Sequence, residues 1–212
     1  KRGGTNSAPT GMNKSMFVDT VSFTYTAAAS STESIPWSNG VESGLDDLAT
    51  AQTGDTDANW EQTSSRANSG TYSVFHDDAN AASGYVNWLL TPTFDLSSAT
   101  TPQLTYYDNV NYVTWAESHE VMYSTDYTDD VAAATWTNIN STIGTEDTWV
   151  ENGPYTLPTE ATVTVAFKYT GDYASEWYID DISVAEAPTE PGMTVSATAG
   201  AFDSGTATVS IT

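Results

Sequence analysis

The chain has 212 residues, of which 28 are Asp or Glu against 5 Lys or Arg, for a net charge of -23. A field of that sign repels phosphate backbones and anionic lipid surfaces and attracts cations, so nucleic acid is excluded as a natural partner. No cysteine is present, which removes disulfides and thiolate-held zinc or iron–sulfur centres. No apolar run is long enough to cross a membrane, and no initiator Met or signal peptide precedes Lys1. A mature or excised segment of an exported protein is expected.

Aromatic residues make up 12% of the chain, enough with Val, Thr and Ile to support a folded core rich in strands. Residues 1–34 read as an N-terminal extension with one strand, "MFVDTVSFTYT" (16–26), followed by the linker "AAASSTES". From Ile35 short alternating runs are separated by Gly, Asn, Asp, Ser and Pro. Strands are predicted at 71–76, 85–90, 103–108, 119–124, 135–139, 147–151, 162–169 and 177–184. With no amphipathic helical window between them, the expected fold is all-β, an antiparallel jelly-roll β-sandwich over 35–186. Residues 187–212 read as a linker and a C-terminal strand segment. That segment is either the truncated start of a next module or a strand donated to a neighbour.

Acidic clusters with alternate spacing point to calcium, which takes six to eight oxygen ligands. "GDTDANW" offers Asp55 and Asp57, and "HDDAN" offers Asp77 and Asp78. The first is not an EF-hand, because the places for Gly and Glu hold Trp60 and Arg66. The competing reading is that these are solvated turns of a very acidic protein, including one adapted to high salt.

In "SEWYIDDISV" (175–184) strict alternation puts Asp180 on the face of Tyr178, Ile182 and Val184, and Asp181 with Ile179. A carboxylate aimed into a core needs a cation or backbone donors. Asp180 is therefore a candidate metal ligand, or else a cap for the N–H groups of a neighbouring loop.

Aromatic residues beside polar ones suit sugar rings, whose CH faces stack while hydroxyls bond to Asn, Asp and Glu. Tyr107, Tyr112 and Trp115 in "YYDNVNYVTWAES", and Trp149 further on, are the candidate ligand-binding residues, against the alternative that they pack in the sandwich. Catalysis has little support: the only histidines, His76 and His119, read as structural or solvent-facing, and no nucleophile elbow or zinc-protease helix is present. Asn13 and Asn140 open glycosylation sequons, a weak pattern.

Four phrases in order, "IPWSNGVESG" (35–44), "NWLLTPTFDLSSATTPQLTYY" (87–107), "VMYSTDYTDDVAAATWTNI" (121–139) and "VAFKYTGDYASEWYIDDISV" (165–184), together resemble the choice-of-anchor J or cleaved-adhesin (MAM-like) jelly-roll domains of secreted bacterial proteins. The resemblance covers about residues 35–186. It departs from the pattern at Val41, where Phe is usual, and at Asn39, where an acid is usual. It implies calcium held near the opening Glu and closing Asp, here Glu42 and Asp180.

The expected function is a non-catalytic extracellular or cell-surface domain, stabilised by Ca²⁺, that binds polysaccharide or protein in adhesion. One alternative is a filament subunit or tandem module joined to copies of itself by strand addition. The other is an accessory domain of a secreted peptidase or glycan-degrading enzyme.

Overall fold

The computed structural model of the chain describes residues 32–53, 59–78, 86–116, 118–141, 144–171 and 175–189. The strand expected at 16–26 and the segment 191–212, on which strand addition would rest, lie outside the described residues.

Among the described residues eleven strands form two antiparallel sheets. One has the order β3 (Trp60–Thr63), β4 (Ser73–His76), β11 (Glu176–Glu186), β6 (Pro102–Asn111), β9 (Val150–Thr156), with β1 (Trp37–Asn39) pairing the distal half of β11. The other runs β2 (Ala49–Thr53), β5 (Val86–Phe94), β10 (Val163–Thr170), β7 (Ser118–Ser124), β8 (Thr137–Asn140). This is the expected all-β jelly-roll sandwich. Every window predicted between residues 71 and 184 overlaps a strand, β4 to β11. The three missed strands, β1 to β3, are short and rich in Ser, Asn, Ala and Gln, and their longer neighbours recruit them. No helix among the described residues is long and apolar enough to cross a membrane.

The core lies between the sheets. Val163, Val165, Phe167 and Tyr169 of β10 face Leu104, Tyr106 and Val110 of β6 and Trp177, Ile179, Ile182 and Val184 of β11, all buried in one cluster. A smaller cluster covers the outside of the second sheet, where Trp136 and Tyr127 lie over Trp88, Leu90 and Ala166.

The inward residues of β11 do not keep strict alternation. Three steps on β11, Asp180 to Ser183, oppose two on β6, Tyr107 to Thr105. One extra residue makes a β-bulge, and Asp181 takes the left-handed conformation there with φ 49°. Parity inverts at the bulge, so Trp177 and Ile179 before it and Ile182 and Val184 after it all face the core. The expectation that Asp180 shares a face with Ile182 and Val184 is thereby corrected. Asp180 shares its face with Tyr178, on the outside of the sheet, where Phe75 stacks on Tyr178 and Arg66 lies over the ring.

The histidines are also placed differently from a surface reading. His76 and His119 are both buried, in an aromatic column that joins the sheets: His76 stacks on Tyr169 at 3.9 Å and His119 on Trp177 at 4.3 Å. Burial lowers His76 to about 4 and His119 to about 3, so both imidazoles are neutral at ordinary pH. The sequon at Asn140 is closed as well, since its amide is buried and donates to the Tyr106 hydroxyl at 2.9 Å.

Candidate functional site

Two acidic assemblies emerge from these elements. The first forms around the β3–β4 connection, which crosses the outer face of β11. Asp180, fully buried, accepts the N–H groups of Asn68 (2.8 Å) and Ser69 (3.2 Å) on Oδ2 and that of Asp181 (2.8 Å) on Oδ1. Burial raises its carboxyl, and the three N–H bonds pull the other way. Asp181, the acid at the bulge, accepts from the Asn68 amide (2.8 Å) and the Ser69 hydroxyl (2.7 Å). Glu42 reaches the same connection from the β1–β2 loop and accepts the N–H groups of Thr71 (2.9 Å) and Tyr72 (3.0 Å) on Oε1. Gly70 is required beneath it: φ is +61°, and a Cβ would fall 2.3 Å from Glu42 Oε1. Glu42 and Asp180 thus cap backbone N–H groups of one connection, and Asp181 accepts from two of its side chains.

The second assembly lies at the rim where β4 and β6 end and β11 begins. Register puts His76 opposite Trp177 and Asn111 opposite Glu176, so the residues just beyond these pairs share the rim. Carboxylate oxygens of Asp77, Asp78 and Glu176 lie within 4.8 Å of one another. Partial burial, a hydrogen bond to Asp77 and the charges of Asp77 and Glu176 raise the Asp78 carboxyl to about 6. Glu176 Oε2 accepts from Asn111 Nδ2 (2.8 Å) and the Tyr178 hydroxyl (2.9 Å). The two described cations are engaged elsewhere: Arg66 with Asp147 and Asn109, Lys168 with Glu120 at 2.5 Å.

Asn111 also leads into the turn that carries two predicted aromatic residues. Tyr112 and Trp115 are the exposed large hydrophobics among the described residues, at 47% and 68% exposure. Tyr112 has φ 62°, and Val113–Trp115 form one 3-10 turn with no buried residue. The Tyr112 N–H donates to Asn111 Oδ1 and Glu146 Oε1, each at 3.1 Å, and the Val113 N–H to Glu146 Oε2 at 2.7 Å.

The structure thus brings Asp77 and Asp78 together with Glu176, and joins that triad through Asn111 to the Tyr112–Trp115 turn. It does not bring Tyr107 there: Tyr107 lies on the outside of β6, across from Asp180 on one side and Glu151 on the other, and the Glu151 charge raises its phenol. Trp149 is half-buried in the connection entering β9. Asp55 and Asp57 lie outside the described residues. Glu176, Asn111 and Glu146 escaped the sequence reading. Only Glu176 had a signal, an acid immediately before Trp177 at the mouth of the closing strand.

No protein-family profile and no curated protein matches the chain. Among solved structures, two cleaved adhesin domains of the Lys-gingipain of Porphyromonas gingivalis superpose with TM-scores of 0.55 and 0.57, each at 15% identity. The alignments cover 72% and 70% of this chain and 98% and 96% of those domains. A xylan-binding domain from Paenibacillus barcinonensis Xyn10C gives a TM-score of 0.51 at 10% identity, over 71% of this chain and 99% of that one. Likeness at this identity carries the architecture alone. The chain has a cleaved-adhesin-like β-sandwich fold.

Proposed function

We propose that the chain is a member of the cleaved-adhesin family: a non-catalytic extracellular domain that binds polysaccharide through the Tyr112–Trp115 turn, with Ca²⁺ held at the adjoining acidic rim. The observation that carries the reading is the placement of Tyr112 and Trp115, exposed, three residues apart, on a turn tied to the rim acids by Asn111. A large ring left in water on an anchored turn suits stacking on a sugar face, with Asn and carboxylates nearby for hydroxyls. The fold is shared with a domain described as xylan-binding and with adhesin domains. Burial of both histidines in the core favours contact over turnover.

Pull-down on insoluble xylan and a panel of other polysaccharides tests the binding. Trp115→Ala is expected to weaken it about tenfold, since stacking worth ~1.5 kcal/mol is about one decade in affinity, with the unfolding midpoint unchanged. Equal binding by native protein and variant would sink the reading.

For calcium, the rim supplies hard oxygen donors from Asp77, Asp78 and Glu176. Glu42 and Asp180, the pair implied by the resemblance, already spend oxygens on five backbone N–H bonds. Ca²⁺ at about a hundred times its dissociation constant is expected to stabilise the fold by ~2.7 kcal/mol. At fixed ionic strength Na⁺ should not reproduce this, and Asp78→Asn with Glu176→Gln should remove it. A native melting temperature indifferent to chelation would rule the ion out.

A further inference from the structure

The turn that presents the two rings has one apolar anchor of its own, Val113, half-buried against the main core. Left-handed backbone is uncommon for a residue as bulky as Tyr112, and a single 3-10 turn held by one half-buried side chain leaves Tyr112 and Trp115 on its exposed side. Within the turn, the Trp115 N–H bonds the Tyr112 carbonyl at 2.9 Å and the Ala116 N–H that of Val113 at 3.2 Å. The backbone donors at its start are taken by Asn111, which accepts one N–H, and by Glu146, whose two oxygens accept the N–H groups of Tyr112 and Val113 separately.

Glu146 is itself fixed from several directions. It forms a parallel bridge with Val110, and the Asp147 N–H donates to the Val110 carbonyl at 2.9 Å. The Asp147 side chain pairs with Arg66, which also donates to Asn109 Oδ1 at 3.0 Å. Gly144 lets the segment lie against β6: a Cβ there would stand 2.9 Å from Val110 Cγ2 and 3.0 Å from Asp108 Oδ1. Residues 144–147 therefore form a strut anchored on β6, and the strut ends in a carboxylate that grips the aromatic turn.

We infer that Glu146 is a positioning residue for the ligand face, holding Tyr112 and Trp115 in the presented conformation without itself touching the ligand. The inference rests on the polysaccharide-binding reading above for its consequence, though its structural part can be read without any ligand. Its physical basis is preorganisation: rings already ordered in the free protein do not have to be ordered on binding.

The test pairs two measurements on native protein, Glu146→Gln, Glu146→Ala and Trp115→Ala. The first is the heteronuclear NOE of the Trp115 indole N–H and the Tyr112 amide; the second is affinity for the bound polysaccharide, with thermal unfolding alongside. In Glu146→Ala both NOE values are expected to fall to those of a mobile loop. Affinity should drop about tenfold, while the unfolding midpoint shifts no more than for other surface changes. Glu146→Gln keeps one acceptor oxygen and is expected to restore part of both signals. An indole as ordered in Glu146→Ala as in the native protein overturns the positioning role, and so does lost order with native affinity. If native protein and Trp115→Ala bind every polysaccharide equally, the binding reading fails, and with it the consequence drawn for Glu146.

Discussion

Asp180→Ala is expected to lower the unfolding free energy by about 3–5 kcal/mol, read from urea denaturation at neutral pH. The side chain is fully buried and accepts three backbone N–H groups, two of them from the β3–β4 connection. Removing it leaves three donors without an acceptor, and each buried orphan costs about 1–3 kcal/mol, less where water reaches it. Asp180→Asn keeps one acceptor oxygen and should fall between. Asp181→Ala, which removes bonds to side chains that can turn to solvent, should cost about 1 kcal/mol or less. A loss below about 1 kcal/mol for Asp180→Ala would show that the connection does not depend on this cap.

The same experiment separates the two readings of Asp180 that the sequence left open. If Asp180 acts directly on N–H groups, the gap between native protein and Asp180→Ala is the same in Ca²⁺ and in chelator. If it acts through a shared cation, chelation lowers the native protein and narrows the gap. The hydrogen bonds favour the first outcome, because both Asp180 oxygens already accept donors.

Asp180 also marks the limit of what alternation can reveal. Period-two patterning located the closing strand and named its core residues, because Ile179, Ile182 and Val184 are apolar whichever face they take. It assigned the carboxylates wrongly, because a bulge is written in backbone pairing with β6, and "IDDI" reads the same with or without the extra residue. The strands β1 to β3 were illegible for a related reason: "WSN", "ATAQT" and "WEQT" carry little apolar pattern and owe their conformation to β11, β5 and β4. At the rim, Asp77 and Asp78 were legible as adjacent acids, whereas Glu176 and Glu146 reach their places by register over separations that no local window spans. Tyr112 and Trp115 were legible as aromatics in a polar connection. Their exposure, and the burial of His76 and His119, are decided by which side of the sandwich each residue meets.

Trp177→Ala is expected to be at least as costly as the loss of Asp180, by about 4–5 kcal/mol. Trp177 is buried between the sheets, stacked on His119 at 4.3 Å and 5° and packed against Trp60 at 5.4 Å and Phe167 at 6.1 Å. Its indole N–H donates to Asp108 Oδ2 at 3.2 Å. Asp108 is a buried carboxylate, raised by burial, whose other donor is Asn152 at 2.9 Å. Truncation therefore adds a cavity to a half-satisfied buried acid. Trp177→Phe separates these terms, since it keeps most of the ring packing and loses the donor, and should cost about 1–3 kcal/mol. His119 supplies an independent readout. Its folded pKa is depressed to about 3 from 6.5, so its contribution to stability is complete above 6.5 and declines as pH falls towards 3. Water admitted by Trp177→Ala should move the imidazole back towards 6.5, visible in the ring proton shifts, and flatten that part of the acid-side loss. An unchanged His119 titration together with a loss below about 2 kcal/mol would mean that the column tolerates the cavity by collapse, and that Trp177 does not hold the two sheets in register.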